Sequence, residues 1–270
     1  MLIFGLGYAA SHIARAVTAD GGVVMATGRS GDLDFADEAA VRAACRAATH
    51  ILSSVPPSEA GDPVLDTYGD ALDGRWLGYL SSTGVYGDAD GAWVDEDTPV
   101  GGRRANRNAA DARWLERGAR VFRLPGIYGP GRSPLDRLVE GKAHRTGIAE
   151  QVFSRVHVDD IASGVLAALN APAGAYNLSD DLPANQDDVV AYAAQLLKVP
   201  LPPVVDLADL SRMATGFYSE NRRVANLKAK RVLGWRPRYP DYRFGLRAVS
   251  ATTSPTSTSA APAPASSDQR

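Results

Sequence analysis

The residues nearest the start of the chain have the types and spacing to hold a diphosphate. Gly5-Leu6-Gly7-Tyr8-Ala9-Ala10 forms a G-x-G-x-x-A pattern between an apolar run, 2–4, and a helical pattern over 9–19. The first glycine permits a tight turn, the second lets backbone approach a pyrophosphate, and the small last residue lets the helix lie close to the strand. The unpaired amides of the helix start then face the anion. Gly5, Gly7, Tyr8, Ala9 and Ala10 are therefore candidate contacts. The second apolar run ends in Ala26-Thr27-Gly28-Arg29-Ser30. A carboxylate at this point of such a unit would hold a ribose 2′-hydroxyl; Arg29 and Ser30 instead offer a cation and a hydroxyl suited to a 2′-phosphate. The expected cofactor is NADP, with NAD as the other dinucleotide the turn could take.

The elements needed to position these residues are legible as short apolar runs alternating with helical patterns. Strands are expected at 2–4, 23–26, 50–53, 76–81, 120–124 and 175–178. Helices are expected at 9–19, 38–48, 61–69, 108–117, 159–168, 186–197 and 227–233, the last ending at Gly234. Such alternation specifies an α/β fold with a doubly wound parallel sheet covered by helices on both faces. Ligands of these sheets lie at the carboxyl ends of the strands. Segments 130–150 and 182–248, rich in Pro, Arg and aromatic residues, read as a smaller C-terminal substrate lobe. Segments 1–129 and 151–181 read as the nucleotide-binding domain. The Ser-, Thr-, Ala- and Pro-rich stretch 249–270 reads as a disordered tail, with too little apolar surface to offset ordering entropy.

Composition narrows the function. A formal net charge of -2 gives no basic footprint for nucleic acid. No apolar run reaches the roughly 20 residues that span a bilayer, so no membrane partner is expected. No basic leader with a cleavage signal is evident, and a cytoplasmic protein is the expectation. The single cysteine, Cys45, excludes an internal disulfide and a cysteine-cluster metal site; it falls in a helical pattern as a small buried apolar residue. His157 beside Asp159 and Asp160 offers too few convergent ligands for a metal, so no metal site is expected. Asp159 reads as a helix N-cap, and His12 as a packed or surface residue.

Several further segments, in order, carry a resemblance: Ala10-Ser11-His12-Ile13, Ser81-Ser82-Thr83-Gly84-Val85-Tyr86-Gly87, Asp95-Glu96-Asp97-Thr98-Pro99, Arg123-Leu124-Pro125-Gly126-Ile127-Tyr128-Gly129-Pro130-Gly131, Arg155-Val156-His157-Val158-Asp159-Asp160, Tyr176-Asn177-Leu178 and Leu233-Gly234-Trp235. Together with the opening turn they resemble the NAD-dependent epimerase/dehydratase family, the extended short-chain dehydrogenases/reductases, and an atypical subgroup of it. The resemblance runs from Met1 to about Ala248. It implies a Rossmann-type sheet, with Ser82 as the catalytic hydroxyl that hydrogen-bonds the substrate oxygen. It places Pro125 and Gly126 beside a nicotinamide, and Ser53, Ser54 and Val55 beside the cofactor ribose. A homodimer through two helices is the assembly it implies.

The sequence also departs from that family. Its Y-x-x-x-K pair, in which the phenol is the acid/base and the lysine tunes it, is missing here. Aligning Ala109-Ala110-Asp111 with the family's A-A-E puts Arg103 at the tyrosine and Arg107 at the lysine position. Arginine does not release a proton near neutrality; Arg107 could still hold a ribose or phosphate. Tyr86 is the phenol that follows Ser82 most closely and could replace the missing acid, or could pack behind the strand; Tyr68 and Tyr128 are weaker candidates. Thr83 and Gly84 stand where sugar dehydratases carry Asp and Glu, which disfavours that mechanism. Arg222 and Arg223 could hold an anionic substrate or be a solvated pair. Three functions stay open: an NADP-dependent oxidoreductase or epimerase acting on a small polar, sugar-like molecule, a non-catalytic NADP-binding sensor or regulatory protein, and a scaffold.

Overall fold

The computed structural model describes residues 1–209 and 218–253. Its centre is a six-stranded, wholly parallel sheet built from β1 (Leu2–Phe4), β2 (Met25–Ala26), β3 (His50–Ser53), β4 (Trp76–Ser82), β6 (Arg120–Leu124) and β9 (Gly174–Asn177), in the order β2-β1-β3-β4-β6-β9. The period-2 geometry of β1 sends Leu2 and Phe4 to one face and Ile3 to the other. On the Ile3 face, α1 (Tyr8–Ala19) and α6 (Val158–Ala167) pack over Leu52, Phe122 and Leu124. On the opposite face, α2 (Glu38–Ala47), α3 (Pro63–Tyr68) and α4 (Ala105–Glu116) cover Leu2, Phe4, Ile51 and Val121. The doubly wound α/β expectation is met.

The chain passes from β1 outward to β2 and then back across β1 to β3, with α1 on one face and α2 on the other. That reversal opens a crevice at the carboxyl ends of β1 and β3. The chain folds back directly after β2, with the Asp32 and Leu33 amides donating to the Ala26 carbonyl at 2.8 and 3.1 Å. A Cβ on Gly31 would collide with the Ala26 carbonyl oxygen, so glycine alone permits this close return.

The second lobe contains α5 (Pro134–Val139), α7 (Gln186–Leu197) and a helix over Tyr242–Thr253, here α9, which share a core of Leu135, Val189, Ala193, Leu246 and Val249. Two parallel strand pairs tie the lobe to the sheet: β7 (Gly126–Tyr128) with β8 (Arg155–His157), and β5 (Trp93–Val94) with β10 (Arg223–Val224). A short helix, α8 (Leu227–Val232), lies beside β9.

Several boundaries differ from expectation. The helix at 227–232 is not the last: α9 follows, and its chain remains helical past Val249 to Thr253. Residues 254–270 of the expected tail lie outside the described residues. Helix α4 begins three residues before the expected start. Helix α6 is capped not by Asp159 but by His157, whose Nδ1 accepts the Asp159 amide hydrogen at 3.2 Å. Asp159 lies in the first turn, where its charge favours the helix dipole, and pairs with His12 at 2.9 Å. Cys45 is fully buried.

A buried polar network locks α4 onto the sheet. Arg123 on β6 donates twice to Asp111 on α4, Nη2 to Oδ1 at 2.7 Å and Nε to Oδ2 at 3.1 Å. Ser81 on β4 donates to the same carboxylate at 2.6 Å. Both ions are almost wholly buried, 3% and 1% exposed, so neither partner can be removed without leaving an unpaired charge. Asp111→Ala should lower unfolding free energy by about 3–5 kcal/mol, measured by urea denaturation; a loss below about 1 kcal/mol would show that the pair is not what holds α4.

Candidate functional site

The opening turn is stitched to the ends of two neighbouring strands. Gly5 takes φ +83°, a backbone conformation that other residues adopt only with strain. Its amide donates to Thr27 Oγ1 at 3.1 Å, and the Leu6 amide to the Thr27 carbonyl at 2.8 Å. From the other side, Ser54 Oγ donates to the Gly5 carbonyl at 2.9 Å. A Cβ on Gly5 would lie 2.9 Å from Val55 Cγ2. Gly5, Ser54, Val55 and Thr27 therefore form one backbone junction, with Ser53 fully buried beneath it.

Gly7 behaves differently. It has φ −87° and a Cβ added there would meet no protein atom within 4 Å. The protein itself does not require glycine here; the open space is a cradle that a side chain would fill. Helix α1 starts at this point with no side-chain cap on its first amides and no acidic residue in its first turn. A free, partly positive helix terminus faces the open side of Gly7, as an anion-binding turn demands. Ala10 is fully buried against the sheet. The Tyr8 hydroxyl donates to the Pro130 carbonyl at 3.1 Å, and Arg132 lies 5.6 Å over its ring; burial pushes this phenol up to about 12. Arg29 and Ser30 are exposed beyond β2. The neighbouring Asp32 is folded under, accepting from the Ala26 amide at 3.1 Å.

A cleft of about 610 Å³ runs from this turn between the two lobes. Of the expected residues, Ala9, Ser54, Ser82, Arg107, Pro125 and Gly126 line it. Ser82 Oγ accepts the Gly84 amide hydrogen at 3.1 Å and caps a 3-10 turn over Thr83–Tyr86, which leaves its O–H to donate into the cleft. Arg103, Arg104 and Arg132 join the wall from the sheet side, and Glu220 and Arg222 from the small lobe. Glu220 accepts from Arg103 Nε at 2.7 Å and from Arg222 Nη1 at 2.6 Å. Burial opposes its charge, yet the hydrogen bonds from Arg222 and Arg103 hold its carboxyl below the usual range.

The candidate acid Tyr86 is elsewhere. It is 5% exposed, donates to Asn177 Oδ1 at 2.7 Å and accepts from Arg123 Nη1 at 3.1 Å. Burial raises its phenol to about 12. It belongs to the Asp111–Arg123 network behind the strand rather than to the cleft wall. Tyr68 donates to the Phe35 carbonyl in the opposite core, and Tyr128 is buried in the small lobe. Arg223, one residue from Arg222 on β10, turns away and donates to the Gly91 carbonyl. Thr27, Arg104, Arg132 and Glu220 were not singled out by sequence. Thr27 had a signal, standing at the end of β2; Glu220 had none, because nothing in a loop says which strand it will face.

Comparison with known proteins places this geometry. No family model matches the chain. A solved structure of a functionally unknown conserved protein from Silicibacter pomeroyi DSS is 43% identical, covering 93% of this chain and 98% of that one, with a TM-score of 0.83. A NAD-dependent epimerase/dehydratase-type structure from Methylobacillus flagellatus is 24% identical, covering 93% and 97%, with a TM-score of 0.72. A human epimerase family protein solved with NADPH has 15% identity, 92% and 98% coverage and a TM-score of 0.74, a likeness of fold. The chain is thus related over nearly its whole length to the Silicibacter pomeroyi protein, and it shares the Rossmann-type fold of the epimerase/dehydratase-type structure. It is also similar to YeeZ of Escherichia coli strain K12, 31% identical over 173 residues, 60% of this chain and 58% of that protein. It is also 31% identical over 137 residues to a 3-diazoavenalumate denitrifying reductase of a Streptomyces species, covering 47% of this chain and 45% of that protein. The chain thus spans about half the length of the curated relatives it matches. Among the described residues, no helix is long and apolar enough to cross a membrane.

The two glycines separate fold from ligand. Gly5→Ala should cost more than about 1 kcal/mol, because φ +83° and Val55 both resist a Cβ. Gly7→Ala should stay within about 0.5 kcal/mol. Urea titration of both variants checks this, and equal losses would remove the argument that Gly7 is kept for a ligand.

Proposed function

We propose that this protein is an NADP-dependent oxidoreductase or epimerase whose small polar substrate occupies the interlobe cleft. The observation that carries the reading is the Gly7 cradle: an uncapped helix start facing open space, at the switch point of a parallel sheet, continuous with a cleft that presents a free hydroxyl at Ser82. The relatives support it, since one is named a reductase and structures of the same fold are solved with NAD or NADPH. A diphosphate would lie on the amides of Gly7 to Ala10, the ribose near Ser54 and Arg107, and the ring beside Pro125 and Gly126. Arg29 and Ser30 favour the 2′-phosphate of NADP over the bare ribose of NAD.

When bound, the reduced nicotinamide supplies a hydride to an electrophilic carbon. Ser82 donates a hydrogen bond to the reacting oxygen and polarises it. Among the described cleft-lining residues there is no Tyr, His, Lys, Cys or Asp, and the one carboxylate, Glu220, is held ionised by its arginines. Stretch 210–217 contains none of these residue types and no Glu. Among the described residues of the cleft this leaves water to supply the proton to the product oxygen. The same lack of an acid favours a second reading, a dinucleotide sensor that turns nothing over.

Calorimetry with NADP and NAD tests the cofactor assignment. NADP should bind more tightly, and Arg29→Asp should invert the order; unchanged NADP affinity in that variant would remove Arg29 from the site. For the enzyme reading, NADPH oxidation against a panel of carbonyl compounds should be lost in Ser82→Ala. The rate should show no limb between pH 7 and 10 from a cleft phenol, since Tyr86 titrates near 12 behind the wall. Unequal binding of NADP and NADPH with no turnover on any panel member would select the sensor.

A further inference from the structure

We infer that the cleft selects a compact organic carboxylate, clamped by Arg104 and Arg222 beside Ser82, over a neutral sugar. The inference rests on the reading above that this cleft is the substrate end of a dinucleotide site. Its basis is charge. Arg103, Arg104, Arg107, Arg132 and Arg222 line the cleft against the single carboxylate of Glu220.

The local folding holds these cations in place. The amides of Gly101 and Gly102 both donate to the Val85 carbonyl, at 2.9 and 2.8 Å. A Cβ on Gly102 would collide with the Gly84 carbonyl oxygen. Arg103 and Arg104 therefore leave a backbone pressed against the turn that follows Ser82. From the other lobe, Arg222 Nη1 donates to the Gly87 carbonyl at 2.5 Å and to Glu220. Glu220 bridges Arg103 and Arg222, so one carboxylate fixes two guanidiniums across the lobe boundary. It cannot also neutralise the others. The Arg104 guanidinium is exposed and has no partner among the described residues.

A neutral polyol would close over these cations without compensating them, and unpaired charge is costly once water leaves. A carboxylate matches the planar fork of arginine with two parallel hydrogen bonds. The negative group would lie near the hydroxyl that polarises the reacting atom, which fits a short acid with its carbonyl close to the carboxylate. Leu124, Ile127 and Val152 give the rest of such a molecule an apolar wall.

The test is calorimetry on the full chain with oxalate, glucose and UDP as probes, each with and without saturating NADP. Oxalate should bind, glucose should give no heat, and UDP should bind more weakly than oxalate. Arg104→Gln and Arg222→Gln should each weaken oxalate roughly tenfold or more, the loss expected for a hydrogen bond to a charged group. Tighter binding of UDP or glucose, no heat from oxalate, or oxalate affinity unchanged in Arg104→Gln would overturn the inference. Should Arg222→Gln fail to fold by circular dichroism, Arg104→Gln decides alone, being exposed and unpartnered. Titration of NADP by itself separates the two proposals: no NADP heat in the wild type sinks the dinucleotide reading, while the oxalate runs still score the clamp.

Discussion

Everything in this molecule is arranged around a backbone junction at the carboxyl edge of the sheet. The ends of β1, β2 and β3 converge there through hydrogen bonds from Gly5 and Leu6 to Thr27 and from Ser54 to Gly5. A side chain at Gly5 would be strained, with φ +83° and Val55 against it. The junction aims the start of α1 outward and uncapped, and it places the cleft directly beyond. The reversal of strand order at β1 is the reason a crevice exists at this edge.

The core behind the junction holds the cleft wall still. Asp111 and Arg123 join α4 to β4 and β6, and the same guanidinium carries Tyr86. Burying such a pair is justified less by net stability than by the cost of separating it. Ser82, one residue past Ser81 in β4, inherits its position from that network. Tyr86 has been drawn into the core's polar bonding, so the phenol that follows Ser82 serves structure. The cleft is left with hydroxyls, guanidiniums and one ionised carboxylate, a set suited to holding an anion and polarising an oxygen but not to donating a proton.

The sheet was legible because its strands are short apolar runs separated by helical patterns, a signal that depends only on local periodicity. The G-x-G-x-x-A turn was legible for the same reason: its meaning lies in its place between one strand and one helix. The small lobe was harder. Strands β5 and β10 have two residues each and pair across more than a hundred positions of sequence, and so brief a run carries no period. Helix α9 was missed because its pattern runs into a Ser- and Thr-rich tail. The bridge of Arg103, Glu220 and Arg222 could not be read at all, since it joins a loop before α4 to one before β10. For Tyr86 the sequence left two readings open, a substitute acid beside Ser82 or a tyrosine packed behind the strand, and the 3-10 turn carries the phenol into the second.

The most direct measurement is a crystal structure of the chain grown with NADP. The account predicts a diphosphate on the amides of Gly7 to Ala10, the adenosine phosphate beside Arg29, and the nicotinamide between Pro125 and Ser82. A dinucleotide bound away from the α1 terminus, or none at saturating concentration, would contradict it.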